Sequence, residues 1–293
     1  MSDRMRIGAR FPNAGDHHRS HRLADAARLL EQVGYDSLWA SDHLGMPEQF
    51  RNPYPFSSDG SVPWGRDLAW TEPLTALAIA AGATSRIELG TAVMVVALRH
   101  PLIAAKQLAG VAVEAPGRVS LGVGAGWLAE EFDAVGVPFE RRGSYLDAWI
   151  ERVHDALAGI YPSVPKDDPY PNPVELWVRP EVPWSLPILI GGMGPRALRR
   201  VSERGDGWLA ALAAQQPDLD LLGASVESLH SAAAAAGREP PRIVLQLLGS
   251  QGQAAVIAGY LPELVRLGVD DVIVDVNVEE PADLERTLET LAR

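Results

Sequence analysis

Short apolar, β-branched runs bounded by glycine or aspartate alternate along this chain with longer stretches in which apolar residues recur every three or four positions. The first pattern is that of strands buried on both faces of a parallel sheet. The second is that of helices laying one apolar face against such a sheet. The strand-like runs fall at 6–12, 37–43, 87–95, 119–126, 187–191, 206–212, 242–248 and 270–276. The helical stretches fall at 20–33, 72–83, 100–114, 143–158, 195–204, 217–236, 253–267 and 281–292. Start and stop signals agree with these limits. Asp16 or Ser20 can cap the first helix and Gly34 stops it; Pro101 and Pro195 suit first turns, and Gly205 and Gly268 suit helix ends.

Such an alternation, repeated along 293 residues, matches the (β/α)8 TIM barrel, whose usual length is about 250 residues. The expected fold class is therefore α/β, one barrel domain over 1–293, although the order of elements alone leaves an open sheet possible. Two segments interrupt the rhythm. Residues 44–70 carry Pro47, Pro53, Pro55, Pro63, Trp64 and Trp70; residues 160–186 carry seven prolines with Trp177 and Trp184. Both are too long for ordinary connections, so each is a lid or a linker, the first segment more lid-like than the second.

Composition narrows the function. The formal net charge of −12 repels nucleic acid and anionic membrane surfaces. No apolar run approaches the roughly 20 residues of a membrane span, and no apolar signal core follows the N-terminus. A cytoplasmic enzyme acting on a small molecule is the expectation. With no cysteine, disulfides, thiolate metal sites and cysteine nucleophiles are excluded. Lys106 and Lys166 are the only lysines; arginine supplies the other cations.

In a βα barrel the chemistry sits at the C-terminal ends of the strands. The second strand ends in Ser41-Asp42-His43, where a carboxylate beside an imidazole can steer its protonation. In the fourth, Gly122, Gly124 and Gly126 recur at period two and face one way, a pattern that suggests close approach by a ligand or another backbone. This is not a dinucleotide fingerprint, because the third glycine would fall at Trp127. After the fifth strand, Gly191-Gly192-Met193-Gly194-Pro195-Arg196 opens a helix with free amides aimed at an anion. Arg196 in that first turn opposes the helix dipole unless a phosphate lies there, whereas Arg199 and Arg200 read as solvated. His17, His18 and His21 read as a polar loop without the carboxylates of a metal site, His100 as a residue reaching the site from the third loop, and His154 and His230 as structural. No metal is expected.

Taken as a set, several stretches resemble the luciferase-like monooxygenase superfamily. They are Ser37 to His43, Leu89 to Val93 with Arg99 to Pro101, Arg118 to Trp127, Glu131-Phe132 with Gly136, Phe139 to Gly143, Gly191 to Pro195, and Gly205 to Trp208. The resemblance implies a barrel that binds FMN or the deazaflavin coenzyme F420. The Trp-Ala-Ser-Asp-His-Leu and Arg-His-Pro segments look more like the F420 branch.

By that likeness His43 is the catalytic residue, near the reactive carbon of the ring, and Asp42 contacts the ring. Ala92, Val93 and Val95 support the ring, with Ala92–Val93 the candidate for the family's non-proline cis peptide. Ala125, Gly126 and Glu130 line the coenzyme's chain, and Gly192, Met193, Gly194, Pro195, Arg196 and Ala197 surround its phosphate. Trp127 stands where sugar-phosphate dehydrogenases of this branch carry a glutamate, which argues against that substrate. The leading expectation is F420-dependent hydride transfer to or from a small organic substrate. The alternatives are a two-component FMN monooxygenase using O₂ and a non-catalytic flavin-binding protein. A homodimer is implied, as is a flavin or F420 reductase or dehydrogenase that supplies reduced coenzyme.

Overall fold

The computed structural model describes residues 4–15, 23–57, 59–182 and 186–292. Its parallel strands β1 (Arg6–Arg10), β2 (Ser37–Ala40), β3 (Glu88–Val95) and β4 (Val119–Gly124) pair in sequence order. The separate β5 (Ile160–Tyr161) and β6 (Leu176–Trp177) form an antiparallel pair of their own. β4 then pairs with β7 (Ile188–Gly191), followed by β8 (Gly207–Ala213), β9 (Arg242–Leu248) and β10 (Asp271–Val274), which returns to β1 and closes the barrel.

Around it run α1 (Leu23–Val33), α2 (Pro73–Ala83), α3 (Pro101–Glu114), α4 (Ala129–Val135), α5 (Arg142–Leu157), α6 (Pro195–Arg204), α7 (Leu219–Ala235), α8 (Ala254–Arg266) and α9 (Pro281–Leu291). The expected barrel is present, and every expected element has a counterpart. Strands β1, β2, β4 and β10 stop before the end of their apolar runs, because the next residues turn into the loops of the barrel mouth. Asp16 and Ser20, the expected caps of α1, lie outside the described residues, as do His17, His18 and His21. None of the described helices is long and apolar enough to cross a membrane.

Side chains fill the barrel axis. Trp39, Leu189, Leu209, Val244 and Ile273 are at most 2% exposed and form one inner cluster with Ala92. Trp39 needs room from both neighbours: a Cβ on Gly8 of β1 or Gly90 of β3 would come within 2.9 or 2.2 Å of its ring. Its indole N–H donates to Ser37 Oγ at 2.8 Å, so burial leaves no polar atom unpaired. Removing about 200 Å² of such a ring from water stabilises by about 5 kcal/mol.

The N-terminal end of the barrel is closed by charge. Arg242 donates to Asp271 at 2.7 and 2.8 Å and to Glu88 at 2.7 and 3.1 Å, and Arg6 reaches the same two carboxylates at 3.2 and 2.6 Å. Burial works to raise Glu88, but the hydrogen bonds and charge of Arg242 outweigh it, with help from Arg6 and Ser120, and hold it below the usual glutamate range. Arg242→Met is expected to cost about 3 kcal/mol in urea unfolding, the low end for stripping one partner from a buried pair, because Arg6 remains. Glu88 loses its depressed pKa in the variant. The deficit is therefore full at neutral pH and shrinks as pH falls through the carboxylate range.

The two long segments have different fates. Residues 44–70 fold over the barrel mouth, whereas 160–186 joins the end of α5 to the start of β7, at the base. That second segment packs on the outer wall instead, where Tyr170 lies edge-on to Tyr145 and His100 at 5.3 and 5.7 Å. Trp184 lies outside the described residues; the described residues of the segment line no part of the mouth, as in a linker.

Candidate active site

At the C-terminal ends of the strands the chain encloses a cavity of about 870 Å³, large against the roughly 300–1,000 Å³ of small-molecule pockets. Its floor is built around Val93. The Ala92–Val93 peptide is cis, and the β3–β4 register shifts between Thr91 and Met94. The bulge lodges the Val93 side chain where a Cβ on Gly124 or on Gly191 would lie, 2.6 Å away in both cases. A Cβ on Gly122 would meet Thr91 O at 2.0 Å. The glycines of β4 therefore make room for β3, not directly for a ligand. Gly126, expected within the strand, instead turns beyond it with φ of 83° against Val95 and Phe132.

The end of β2 is pinned by a residue that the sequence reading missed. Buried Asn13 accepts from Ser41 N at 3.0 Å and donates to Ser41 O and Thr71 O at 2.7 and 2.8 Å, tying β2 to the returning loop. Asp42 follows with a fully buried side chain. Its oxygens accept from Arg99 at 2.6 and 2.7 Å and from Val95 N at 2.8 Å. Burial pushes the Asp42 carboxyl up, against the pull of Arg99 and the Val95 amide. Asp42 borders the cavity, but its carboxylate is committed to holding the exit of β3.

The imidazole of His43 has a different carboxylate from the adjacent one the sequence suggested. Nδ1 lies 3.2 Å from Glu131 Oε2 on α4. Glu131 is 4% exposed and is itself aimed by the amides of Leu44 and Gly45. A carboxylate only accepts, so Nδ1 carries the hydrogen and Nε2 of the neutral ring presents its lone pair. Nε2 has no partner among the described residues. Helix α4 was absent from the sequence reading because it is a single short stretch. Glu130 and Glu131 favour its N-terminus, Phe132 buries beneath it, and Gly136 ends it with φ of 73°.

Aromatic rings wall in His43. Trp70, Trp64 and Trp127 have centroids 4.8, 6.0 and 6.0 Å from the imidazole, and Tyr54 meets Trp64 and Trp127 at 5.0 and 5.3 Å. Most of these rings come from 44–70, which is anchored on α4: Arg51 N donates to Glu130 at 2.7 Å and the Arg51 guanidinium bonds Asp133. Glu130, expected along a coenzyme chain, thus fastens the cap and does not line the cavity.

The opposite wall is cationic. The turn after β7 has φ of 119° at Gly192, and no side chain caps α6. The amides of Met193 and Gly194 donate to no acceptor among the described residues. Gly192, Met193, Arg196 and Ala197 line the cavity, as do Asp42, His43, Ala92, Val93, Val95, Ala125 and Gly126; Gly194 and Pro195 do not. Arg196 has no carboxylate partner among the described residues. It faces Arg142, whose guanidinium burial pushes toward the neutral form, with Arg196 adding to that and Glu140 opposing it. Arg200, read as solvated, instead lines the cavity and is paired with Asp147 at 2.7 Å. His100, expected to reach the site, caps α3 by accepting from Leu102 N at 3.3 Å. Among the described residues no cluster of three or more His, Asp or Glu side chains could hold a metal ion.

Residues 5–252 match the model of the luciferase-like monooxygenases, and the chain belongs to that family of oxidoreductases. An uncharacterized Mycobacterium tuberculosis protein is 29% identical over 271 residues, 92% of each chain. The F420-dependent hydroxymycolic acid dehydrogenase of Mycobacterium tuberculosis is 31% identical over 246 residues, covering 82% of this chain and 60% of that relative. Among solved structures, the monooxygenase RslO1 from Streptomyces bottropensis superposes with a TM-score of 0.71 at 18% identity over 97% of both chains, a likeness of fold.

Proposed function

We propose that this chain is an F420-dependent oxidoreductase that moves a hydride between the deazaflavin and a small organic substrate. The observation that carries the reading is the division of the cavity. At one end, two arginines without carboxylate partners and two undonated amides await an anion. At the other stands the Glu131–His43 pair inside an aromatic wall.

The residues fit such a coenzyme. A flat ring could lie on Val93 and Ala92 below His43, and an acidic tail could reach Met193, Arg196 and Arg142, all of which line the cavity. F420 carries a polycarboxylate beyond its phosphate, whereas FMN ends in a single phosphate, so a mouth with Arg196 free of any carboxylate among the described residues and Arg142 beside it suits the longer tail. The F420-dependent relative supports the same choice. When bound, the coenzyme accepts or supplies the hydride.

The chain's own groups handle the proton. Nε2 of His43 takes it from a substrate hydroxyl as the carbon is oxidised, or returns it to a carbonyl oxygen in reverse. Glu131 holds the ring orientation and stabilises the imidazolium. The aromatic wall and the cap exclude water.

The second reading, an FMN monooxygenase, is favoured by the family's name and by the fold shared with RslO1. Anaerobic fluorescence titration separates the two. The expected result is saturable F420 binding that is tighter than binding of reduced FMN. Arg196→Ala is expected to weaken F420 binding by about tenfold, the worth of one charge-assisted contact, with a shallower salt dependence. Tight binding of reduced FMN with none of F420 would reverse the assignment.

A further inference from the structure

The aromatic end of the cavity is more specific than water exclusion requires. The indole N–H of Trp70 donates to Ser41 Oγ at 3.1 Å, and that of Trp64 lies 3.3 Å from the sulfur of Met46. With their polar atoms satisfied inside the protein, the two rings offer hydrocarbon faces to the cavity. Trp127 stands edge-on to His43 across the gap, and Tyr54 bridges Trp64 and Trp127.

Charge divides the same cavity. β2, which carries His43, and β7, which carries the anion-binding turn, lie three positions apart in the eight-strand ring. Arg196 belongs to the β7 side, whereas Arg142 opens α5 after β4 and already donates to Gly126 O and Phe139 O at 3.2 and 2.9 Å. Beside the aromatic wall the cation is Arg10, and it is paired with Asp275 at 3.4 Å. A phosphate or carboxylate placed next to His43 would find no uncommitted cation, and would lie near Glu131 as well.

Few polar groups are left to meet a substrate there, and one of them is Asn52 Oδ1, buried in the cavity lining without a partner among the described residues. A second is Nε2 of His43. Another is the hydroxyl of Tyr54, which has no partner among the described residues and which burial keeps protonated. Each can meet an oxygen atom of an otherwise apolar molecule.

We propose that the substrate of this site is an uncharged molecule with a flat apolar ring and one hydroxyl or carbonyl group, selected by Trp64, Trp70, Trp127 and Tyr54. The inference rests on the coenzyme reading of the same cavity and adds the class of substrate to it. The ring lies between the indoles, and its oxygen meets Nε2 and the Tyr54 hydroxyl. In the oxidative direction a bound deazaflavin would take the hydride of the substrate's C–H bond while the O–H proton goes to Nε2, leaving a carbonyl.

Calorimetric titration of the F420-loaded protein with 1-phenylethanol, acetophenone and glucose 6-phosphate tests the proposal. The two aromatic compounds are expected to bind, and glucose 6-phosphate to give no binding heat at the same concentrations. Trp64→Ala should weaken acetophenone about tenfold, and Trp64→Phe should restore most of the loss. Trp127→Ala, at a half-buried position, repeats the test should the first variant not fold. F420 affinity, read separately by fluorescence, is expected to be unchanged in these variants. Glucose 6-phosphate binding as tightly as acetophenone, or no binding of either aromatic compound by the wild type, would overturn the proposal. So would an unchanged acetophenone affinity in folded Trp64→Ala and Trp127→Ala. A wild type that fails to bind F420 overturns the coenzyme reading instead, and the same titrations on coenzyme-free protein then still decide the substrate class.

Discussion

Replacing His43 with alanine is expected to lower turnover by about 10²–10⁴-fold, the usual worth of a positioned general acid or base. The loss should fall on kcat, because the group acts on a proton in flight and contributes little to the binding of coenzyme. The His43 side chain is 8% exposed and touches Trp70 and Glu131, so truncation also leaves a small void. Stability should still survive, since the other ring contacts of the wall persist. The check is steady-state turnover followed through the visible absorbance of the deazaflavin, alongside F420 affinity by fluorescence. Activity within about threefold of wild type, where about 10²-fold or more is expected, would remove His43 from the chemistry.

Asp42→Ala should act differently, on the fold first. It strips a fully buried carboxylate from Arg99, whose side chain is only 11% exposed, and leaves the Val95 amide without its acceptor. Removing one member of a buried pair costs about 3–5 kcal/mol. Glu72 lies 3.2 Å from the same guanidinium and offsets part of that, without replacing the bond to Val95. Denaturant unfolding should show the loss, and Asp42→Asn should recover part of it by keeping an acceptor for the amide. Activity is expected to fall with it, because Val95 follows directly on the bulge that places Val93. An alanine variant as stable as wild type would show that the pair is not a support of the floor.

The barrel was legible in the chain because each strand buries most of both faces and so reads as an apolar run, and several helices carry a glycine stop signal. The turn at 191–197 was legible for a similar reason: glycine, proline and arginine each have a local backbone or dipole meaning there. The pairings at the heart of the site were not. Glu131 meets His43 across 88 positions and Arg99 meets Asp42 across 57, and nothing in a local pattern says which carboxylate faces which cation. Asp42, adjacent to His43 in sequence, was the natural guess. Yet successive residues of an extended chain point to opposite sides, so the neighbour turned toward β3 and the partner came from α4. Glu130 and Glu131 are adjacent on that helix and likewise divide, one to the cap and one to the imidazole. Asn13 carried no signal at all, since its role is to satisfy backbone groups of strands that only the closed barrel brings together.

One arrangement is central: a bound deazaflavin would lay its ring on Val93 beneath His43 and run its acidic tail to the start of α6. A crystal structure of the F420 complex measures it directly. The expected density has the tail phosphate on the amides of Met193 and Gly194 with Arg196 beside it, and the ring between Val93 and Nε2 of His43. A coenzyme bound elsewhere, or bound with its tail among the tryptophans, would contradict it.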